Sequence, residues 1–213
     1  MGTAGFDVSC RRCARLAAFL DDSRARFPAY HSGPVAPFGA DDAPLVIVGL
    51  APGLHGANAT GRPFTGDHAG ILLYETLHRH GFASRPQSVA HDDGLVLIGA
   101  RITNAVKCVP PANKPQPAEI ARCNDFLAQE LHRAPARAVL VALGRIAHEA
   151  ILRALGLPLR AAAFAHAAEH RLGQRHLIDS YHCSRYNTQT RRLTPAMFDA
   201  VFARARELLE ARP

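Results

Sequence analysis

Leu45-Val46-Ile47-Val48-Gly49-Leu50, running on into Ala51-Pro52-Gly53-Leu54-His55-Gly56-Ala57-Asn58, is the stretch that decides the fold. The first part is a short apolar run, largely β-branched, with turn residues on both sides. It is too short for a helix and unbroken rather than alternating, so it reads as a strand buried on both faces, as in a parallel sheet. The chain from Ala51 to Gly66 is then rich in Gly, Pro, Asn and Thr. A loop of this length between a strand and a helix is usually functional. Its glycines let a ligand approach the backbone closely, and by composition it suits a phosphate or a flat ring.

Working outward, residues 138–143 form a second buried strand closed by Gly144, residues 95–98 and 102–106 read as strand pieces, and 176–178 as a last short strand. Helical spacing of apolar residues predicts helices beginning near Cys10 and over 69–80, 118–132, 145–155 and 194–211, with 28–44 as loop. Strands alternating with helices imply a parallel sheet covered on both faces. Ligands of such sheets sit beyond the carboxyl ends of the strands, which here means the loops 49–67, 103–115, 143–148 and 181–191. With 213 residues, 48% of them hydrophobic, and neither repeat nor linker, one domain over 1–213 is expected.

Lysine and arginine outnumber aspartate and glutamate by 25 to 18, a net charge of +7. That balance favours a polyanionic partner, nucleic acid being the commonest. No apolar run has the length of a membrane span or of a signal peptide, so a cytoplasmic protein is expected. The five cysteines, Cys10, Cys13, Cys108, Cys123 and Cys183, are an odd number in a chain without a secretion signal. Metal binding or catalysis then fits better than disulfides. Cys10-x2-Cys13 together with the widely spaced Cys108 and Cys123 offers four thiolates, a set for Zn²⁺ or for a [4Fe–4S] cluster. A zinc ribbon uses two close knuckles, so ligands gathered from distant segments suit a cluster better; four ordinary buried thiols are the plain alternative. Cys183 reads as a packing or loop residue.

Two further loops carry unusual sequence: Thr103-Asn104-Ala105-Val106-Lys107-Cys108-Val109-Pro110-Pro111-Ala112-Asn113-Lys114-Pro115 and His182-Cys183-Ser184-Arg185-Tyr186-Asn187-Thr188-Gln189-Thr190. With the 49–70 loop and the cysteines, from Cys10 to about residue 208, the chain resembles the uracil-DNA glycosylase superfamily, most closely its iron–sulfur branch, family 5 or type b. The resemblance implies a three-layer α/β/α sandwich around a mainly parallel four-stranded sheet. It implies a structural [4Fe–4S] cluster on Cys10, Cys13, Cys108 and Cys123. It also implies hydrolysis of the N-glycosidic bond of a base flipped out of DNA.

Under that resemblance the base pocket comprises Gly49, Leu50, Ala51, Pro52, His55 and Gly56, with Phe64 stacking on the base and Asn104 reading its edge through an amide that both donates and accepts. His182 donates toward the leaving base and stabilises its growing negative charge. Where other branches place a polar residue after the first strand, this chain has Leu50 and Ala51. Asp67 is then the nearest carboxylate and the candidate for positioning water, against a role as helix cap. Arg185, Tyr186 and Asn187 are expected to enter the minor groove, Ser184 beside them to bind DNA, and Arg62, Lys107, Lys114 and Arg185 to contact phosphates. With no lysine at a motif position, a monofunctional enzyme acting as a monomer on uracil-containing or otherwise deaminated DNA is expected. The rivals are an iron–sulfur or zinc damage sensor without hydrolase activity and an enzyme of free nucleosides or nucleotides.

Overall fold

All residues of β2 (Leu45–Gly49) are buried, and the strand lies between β3 (Ala100–Asn104) and β4 (Val139–Leu143), parallel to both. The computed structural model describes residues 6–211. β6 (Arg175–Ser180) extends the parallel set beside β4. These four central strands are the expected sheet. Two antiparallel edge strands complete a six-stranded order β1-β3-β2-β4-β6-β5, with β1 at Phe38–Gly39 and β5 at Glu169–Leu172. The four-strand expectation is corrected by these edges for a physical reason. β1 is two residues inside a Pro/Gly-rich segment, and the β5 sequence Glu-His-Arg-Leu has no apolar run because half of it faces solvent.

Side-chain alternation along the central strands feeds two cores. Leu45, Ile47, Val139, Val141 and Ile178 pack under α3 (His68–Arg79) and α7 (Pro195–Glu210) with Leu73, Leu77, Phe198 and Phe202. Val46, Val48, Leu140, Ala142 and Leu177 pack on the other face under α4 (Pro117–Arg133) and α5 (Arg145–Ala154) with Leu127, Leu131 and Ile151. The result is the expected α/β/α layering. Local chemistry fixes the helix starts. Pro at the first turn and the Gln116/Glu119 capping box open α4; Thr194 Oγ1 accepts the Met197 N–H at 3.2 Å to open α7.

Two expectations shift. α1 (Ala14–Arg26) starts after Cys13 rather than near Cys10, whose N–H instead closes a turn on the Asp7 carbonyl. Residues 95–98 are not part of the sheet: Leu95 and Leu97 are buried while Val96 and Ile98 are exposed, and the segment pairs with 82–84 through the Ala83–Leu97 bridge. The segment is extended as expected, but its partner is local. Among the described residues, no helix is long and apolar enough to cross a membrane.

Lys107 was expected on the DNA face, yet the structure turns it inward. Its side chain is 1% exposed and its ammonium lies 2.6 Å from Glu130, also buried, and donates to Thr103 Oγ1. No aligned donor reaches the Glu130 carboxylate, so the pair is held by charge. Removing one member leaves an uncompensated buried ion, which costs about 3–5 kcal/mol, whereas replacing both by apolar groups is often neutral. Lys107→Met should therefore lower stability to thermal unfolding strongly, and Lys107→Met with Glu130→Met should recover most of it. A double variant no more stable than the single one would contradict this account.

Candidate active site

Gly49 ends β2 and pairs in register with Asn104, the last residue of β3; the ladder continues as Ala105 N–H to the Gly49 carbonyl at 2.9 Å. The parallel register therefore brings two of the three sequence motifs to one point. A Cβ at residue 49 would collide with Asn104 Oδ1 and lie 2.6 Å from Phe64 Cζ, so only glycine fits there. Asn104 is 3% exposed and its Oδ1 has no hydrogen-bond donor among the described residues. A buried acceptor left without a donor is unfavourable by about 1–3 kcal/mol, so this one is set up for a donor from a ligand.

Phe64 reaches the same point with φ 55°, a left-handed backbone that non-glycine residues rarely adopt. The strain is held by its surroundings. The Phe64 carbonyl occupies the place a Gly70 side chain would need, and Tyr74 Oη donates to the Pro63 carbonyl at 2.8 Å. The Phe64 ring lies against the imidazole of His182, 5.9 Å between centroids and 25° between planes.

His182 follows β6 in the third motif. Burial alone drives its pKa down to about 4, so the ring is neutral at neutral pH and keeps one N–H to donate. The segment after it, expected as loop, folds into the short α6 (Arg185–Gln189). Ser184 caps this turn by accepting the Asn187 N–H at 3.4 Å, and Asn187 Nδ2 donates to the His182 carbonyl at 2.8 Å. Thr188 Oγ1 lies 3.1 Å from His68 Nε2, tying the turn to the start of α3. Ser184 and Asn187 thus hold the histidine's loop, while Arg185 and Tyr186, the latter 71% exposed, project into solvent.

A cavity of about 560 Å³ opens here, lined by Leu50, Ala51, Asp67, Asn113, His182 and Arg185 among others. Asp67 caps α3 through Oδ1, 3.0 Å from Gly70 N, the second of the two roles weighed for it, and it also forms part of the cavity wall. Burial raises its pKa against the lowering effect of the Gly70 and Ala69 N–H groups. Gly56 has no room for a Cβ because Asp67 Oδ2 would stand 2.6 Å from it. Pro52 is buried under the same loop.

Other expected residues leave the site. His55 is exposed and its ring turns to Phe27 and to Tyr30, whose Oη is 3.0 Å from His55 Nδ1. Arg62 is 5% exposed and paired with Asp93 at 2.7 Å, so it offers no charge to a phosphate; Lys107 is excluded likewise, and Lys114 is exposed. Sequence reasoning missed Arg145, Ile146 and Asn113 as lining residues. The signal for the first two was present: they open a helix directly after Gly144 at the carboxyl end of β4. His148, which follows them, faces away, with Nδ1 2.8 Å from Asp179 and Nε2 3.1 Å from the Ala162 carbonyl.

The expected ligand cysteines converge. Cys10, Cys13 and Cys108 pack with Cys123, Leu16, Val106 and Phe126, and the four thiols line one small cavity. None is in a disulfide. Burial first, and then the nearness of Cys123, Cys10 and Cys13, pushes the Cys108 thiol up to about 12. Burial raises the Cys13 and Cys123 thiols as well, and thiolates gathered this closely are stable around a cationic centre, so the donor set fits a four-thiolate metal group. Cys183 is separate and fully buried in the main core.

At the carboxyl ends of the parallel sheet a buried carboxamide and an aromatic ring stand beside Gly49, and the neutral imidazole that lies against this ring also lines the cavity, an arrangement suited to a flat polar heterocycle such as a nucleobase. Comparison with known proteins agrees. Residues 36–206 match the uracil DNA glycosylase superfamily. The chain is 48% identical to a type-5 uracil-DNA glycosylase of Thermus thermophilus, over 94% of each chain. It is 40% identical to the type-5 enzyme of Pyrobaculum aerophilum, over 93% of this chain and 88% of the relative. A type-4 uracil-DNA glycosylase of Archaeoglobus fulgidus is 34% identical over 70% of this chain and 62% of its own length. The chain belongs to the uracil DNA glycosylase superfamily, within its type-5 branch.

The tight contact at residue 49 gives a direct test. Gly49→Ala must displace the Asn104 amide or the Phe64 ring, and misplacement on that scale lowers catalysis by roughly 100-fold. We expect such a fall in kcat/KM for release of uracil from DNA, with the protein still folded by circular dichroism. An unchanged kcat/KM would show that Asn104 and Phe64 do not have to hold these positions.

Proposed function

We propose that the chain is a monofunctional DNA-repair glycosylase that hydrolyses the N-glycosidic bond of uracil in DNA and leaves an abasic site. The observation that carries this reading is the meeting of Phe64 and the donor-less Asn104 at Gly49, with the His182 imidazole against the Phe64 ring. A base inside a duplex must be extruded to be reached, which costs a few kcal/mol of unstacking. Tyr186 and Arg185, exposed on α6, are placed to enter the gap. The extruded uracil stacks on Phe64, and its ring N–H supplies the donor that Asn104 Oδ1 lacks. As the glycosidic bond breaks through an oxocarbenium-like state, negative charge gathers on the base. Neutral His182 donates to it from a buried site, where such a hydrogen bond counts most. Water held by Asp67 attacks C1′. No lysine lines the cavity among the described residues, so no amine is present to form a Schiff base and cleave the strand.

Leu50 and Ala51 leave the wall after β2 without a polar side chain. No group there excludes other deaminated bases, so hypoxanthine belongs within the substrate range. Cys10, Cys13, Cys108 and Cys123 hold a [4Fe–4S] cluster; when bound it supplies a fixed cross-link rather than a step of the hydrolysis. The enzyme acts as a cytoplasmic monomer. Iron and sulfide analysis with a visible spectrum checks the cluster: a colourless protein containing zinc would replace it.

Duplexes containing U·G, U·A or hypoxanthine·T, incubated with the protein and then treated with alkali, test the function. Strand cleavage is expected only after alkali. His182→Ala should lose about 10²–10³ in rate, the usual effect of removing one charge-stabilising donor. No cleavage of any substrate by folded protein that still binds DNA would favour the damage sensor instead.

The pH profile separates the two catalytic residues. His182, with its pKa near 4, contributes no limb around neutrality. Asp67 is needed as the carboxylate and its pKa is raised by burial. Activity should thus fall as the pH drops through that raised value, on an acid limb above the ordinary carboxylate range of about 4. Asp67→Asn should slow the reaction and abolish this limb. Wild-type activity in Asp67→Asn would remove Asp67 from the mechanism.

A further inference from the structure

The arginines of this chain differ in whether a carboxylate neutralises them. Many are ion-paired: Arg11 with Asp21, Arg12 with Asp125, Arg62 with Asp93, Arg79 with Asp199, Arg101 with Asp41 and Arg204 with Glu169. Arg145, Arg185, Arg191 and Arg192 form no ion pair among the described residues, and all four are exposed. They share the carboxyl end of the sheet, Arg145 as the first residue after β4 and Gly144, the others in the segment after β6. Arg85, Arg122, Arg160, Arg171 and Arg175 are likewise without an ion pair, but of all these arginines it is Arg145 and Arg185 that line the base cavity.

Two of these arginines are held in place. The Arg145 guanidinium lies 5.5 Å from the centroid of Phe164, and that of Arg192 lies 4.6 Å from the centroid of Tyr181. Both arginines and both rings line a second cavity, about 300 Å³, whose wall includes Gly144, His182 and Asn187. Gly144, Arg145 and His182 also line the base cavity, so the two spaces adjoin across His182. A guanidinium lying on a ring keeps its N–H edges free for oxygen ligands while losing much of its freedom to move. No carboxylate lines this second cavity. Two oriented guanidiniums without a counter-charge call for an anion with several oxygens, and fork-like pairing to phosphate is the match.

We propose that this second cavity is a subsite for the phosphodiester next to the extruded nucleotide, bound by Arg145 and Arg192. It rests on the glycosylase reading and adds to it a fixed point on the damaged strand, one wall of which is the residue that faces the leaving base. Phosphate contacts position without reading sequence. The role of this one is to set where the sugar of the extruded nucleotide stands relative to His182. Phe164 and Tyr181 act indirectly, as supports for the guanidiniums.

The test is binding of duplexes that contain one abasic site, with single phosphates near it replaced in turn by neutral methylphosphonates. The wild-type protein should lose about ten-fold or more in affinity at one or two linkages beside the abasic site. Arg145→Gln and Arg192→Gln should bind the unmodified duplex more weakly, with a salt dependence shallower by about one ion each. At those same linkages the neutral replacement should cost the variants little more. Equal sensitivity of wild type and variants at every linkage, or variants that bind as wild type, would overturn the proposal. Base release by the wild-type protein, measured alongside, is an independent readout. Coupling without base release keeps the subsite and removes the hydrolytic reading; base release without coupling removes the subsite alone.

Discussion

No side chain can stand at residue 49, and the rest of the site depends on that. The strand that ends there is buried on both faces and parallel to both neighbours, so its last residue is fixed by the sheet register against Asn104. With no Cβ in between, the Asn104 amide and the Phe64 ring approach the backbone from two directions. A second glycine, Gly70, is equally constrained: its missing side chain is where the Phe64 carbonyl sits, and this holds Phe64 in its left-handed conformation. The first two motifs are thus brought into contact by backbone positions, and the third joins them through the His182 ring against Phe64.

That dependence explains what could be read in advance. The run 45–49 was legible because burial on both faces leaves an unbroken apolar signature, and 139–143 repeats it. The loops that carry Gly49, Phe64, Asn104 and His182 were legible because glycine-rich loops after such strands are where α/β sheets bind ligands, while the parts expected of these residues came from the family resemblance. The edges were not. β5 is half exposed and polar, so its pairing leaves no trace in hydropathy. The fate of single charges was hidden as well: Arg62 and Lys107 sit in motif loops, but Asp93 and Glu130 claim them from elsewhere in the chain. Residue type shows that a charge exists, and only tertiary structure shows whether it is already neutralised. For the same reason Arg145 and Arg192 went unnoticed, since their distinction is the carboxylate they lack.

Two histidines at the same end of the molecule show how burial and partner compete. His182 is enclosed with an aromatic ring at its face, and burial alone sets its pKa low. For His148 burial also opposes protonation, but the hydrogen bond and charge of Asp179 outweigh it and the pKa rises. Both of its nitrogens face acceptors, Asp179 and the Ala162 carbonyl, so the charged ring satisfies both. Asp179 and His182 are three residues apart, yet the pleat of β6 sends Asp179 toward α5, and the His182 imidazole keeps no carboxylate partner. A neutral ring keeps one N–H to donate and carries no charge of its own to be taken out of water.

The cysteines act on the same geometry from the opposite side. Asn104 is followed by Ala105, Val106, Lys107 and Cys108, and this descent from the sheet is held at several points. Val106 packs in the core that contains Cys123 and Phe126, the Lys107 N–H donates to Cys123 Sγ at 3.2 Å, and the Lys107 carbonyl accepts from Val35. Cys10 and Cys13 add the start of α1, which Arg15 also ties to Glu119 on α4 at 2.7 Å. A group bound by the four thiolates would therefore join α1, the 104–108 descent and α4 into one unit. Asn104 Oδ1 is buried without a donor, so its position depends on the backbone that carries it rather than on a hydrogen bond of its own. Fixing the chain four residues beyond it would limit the movement of that amide through the backbone alone.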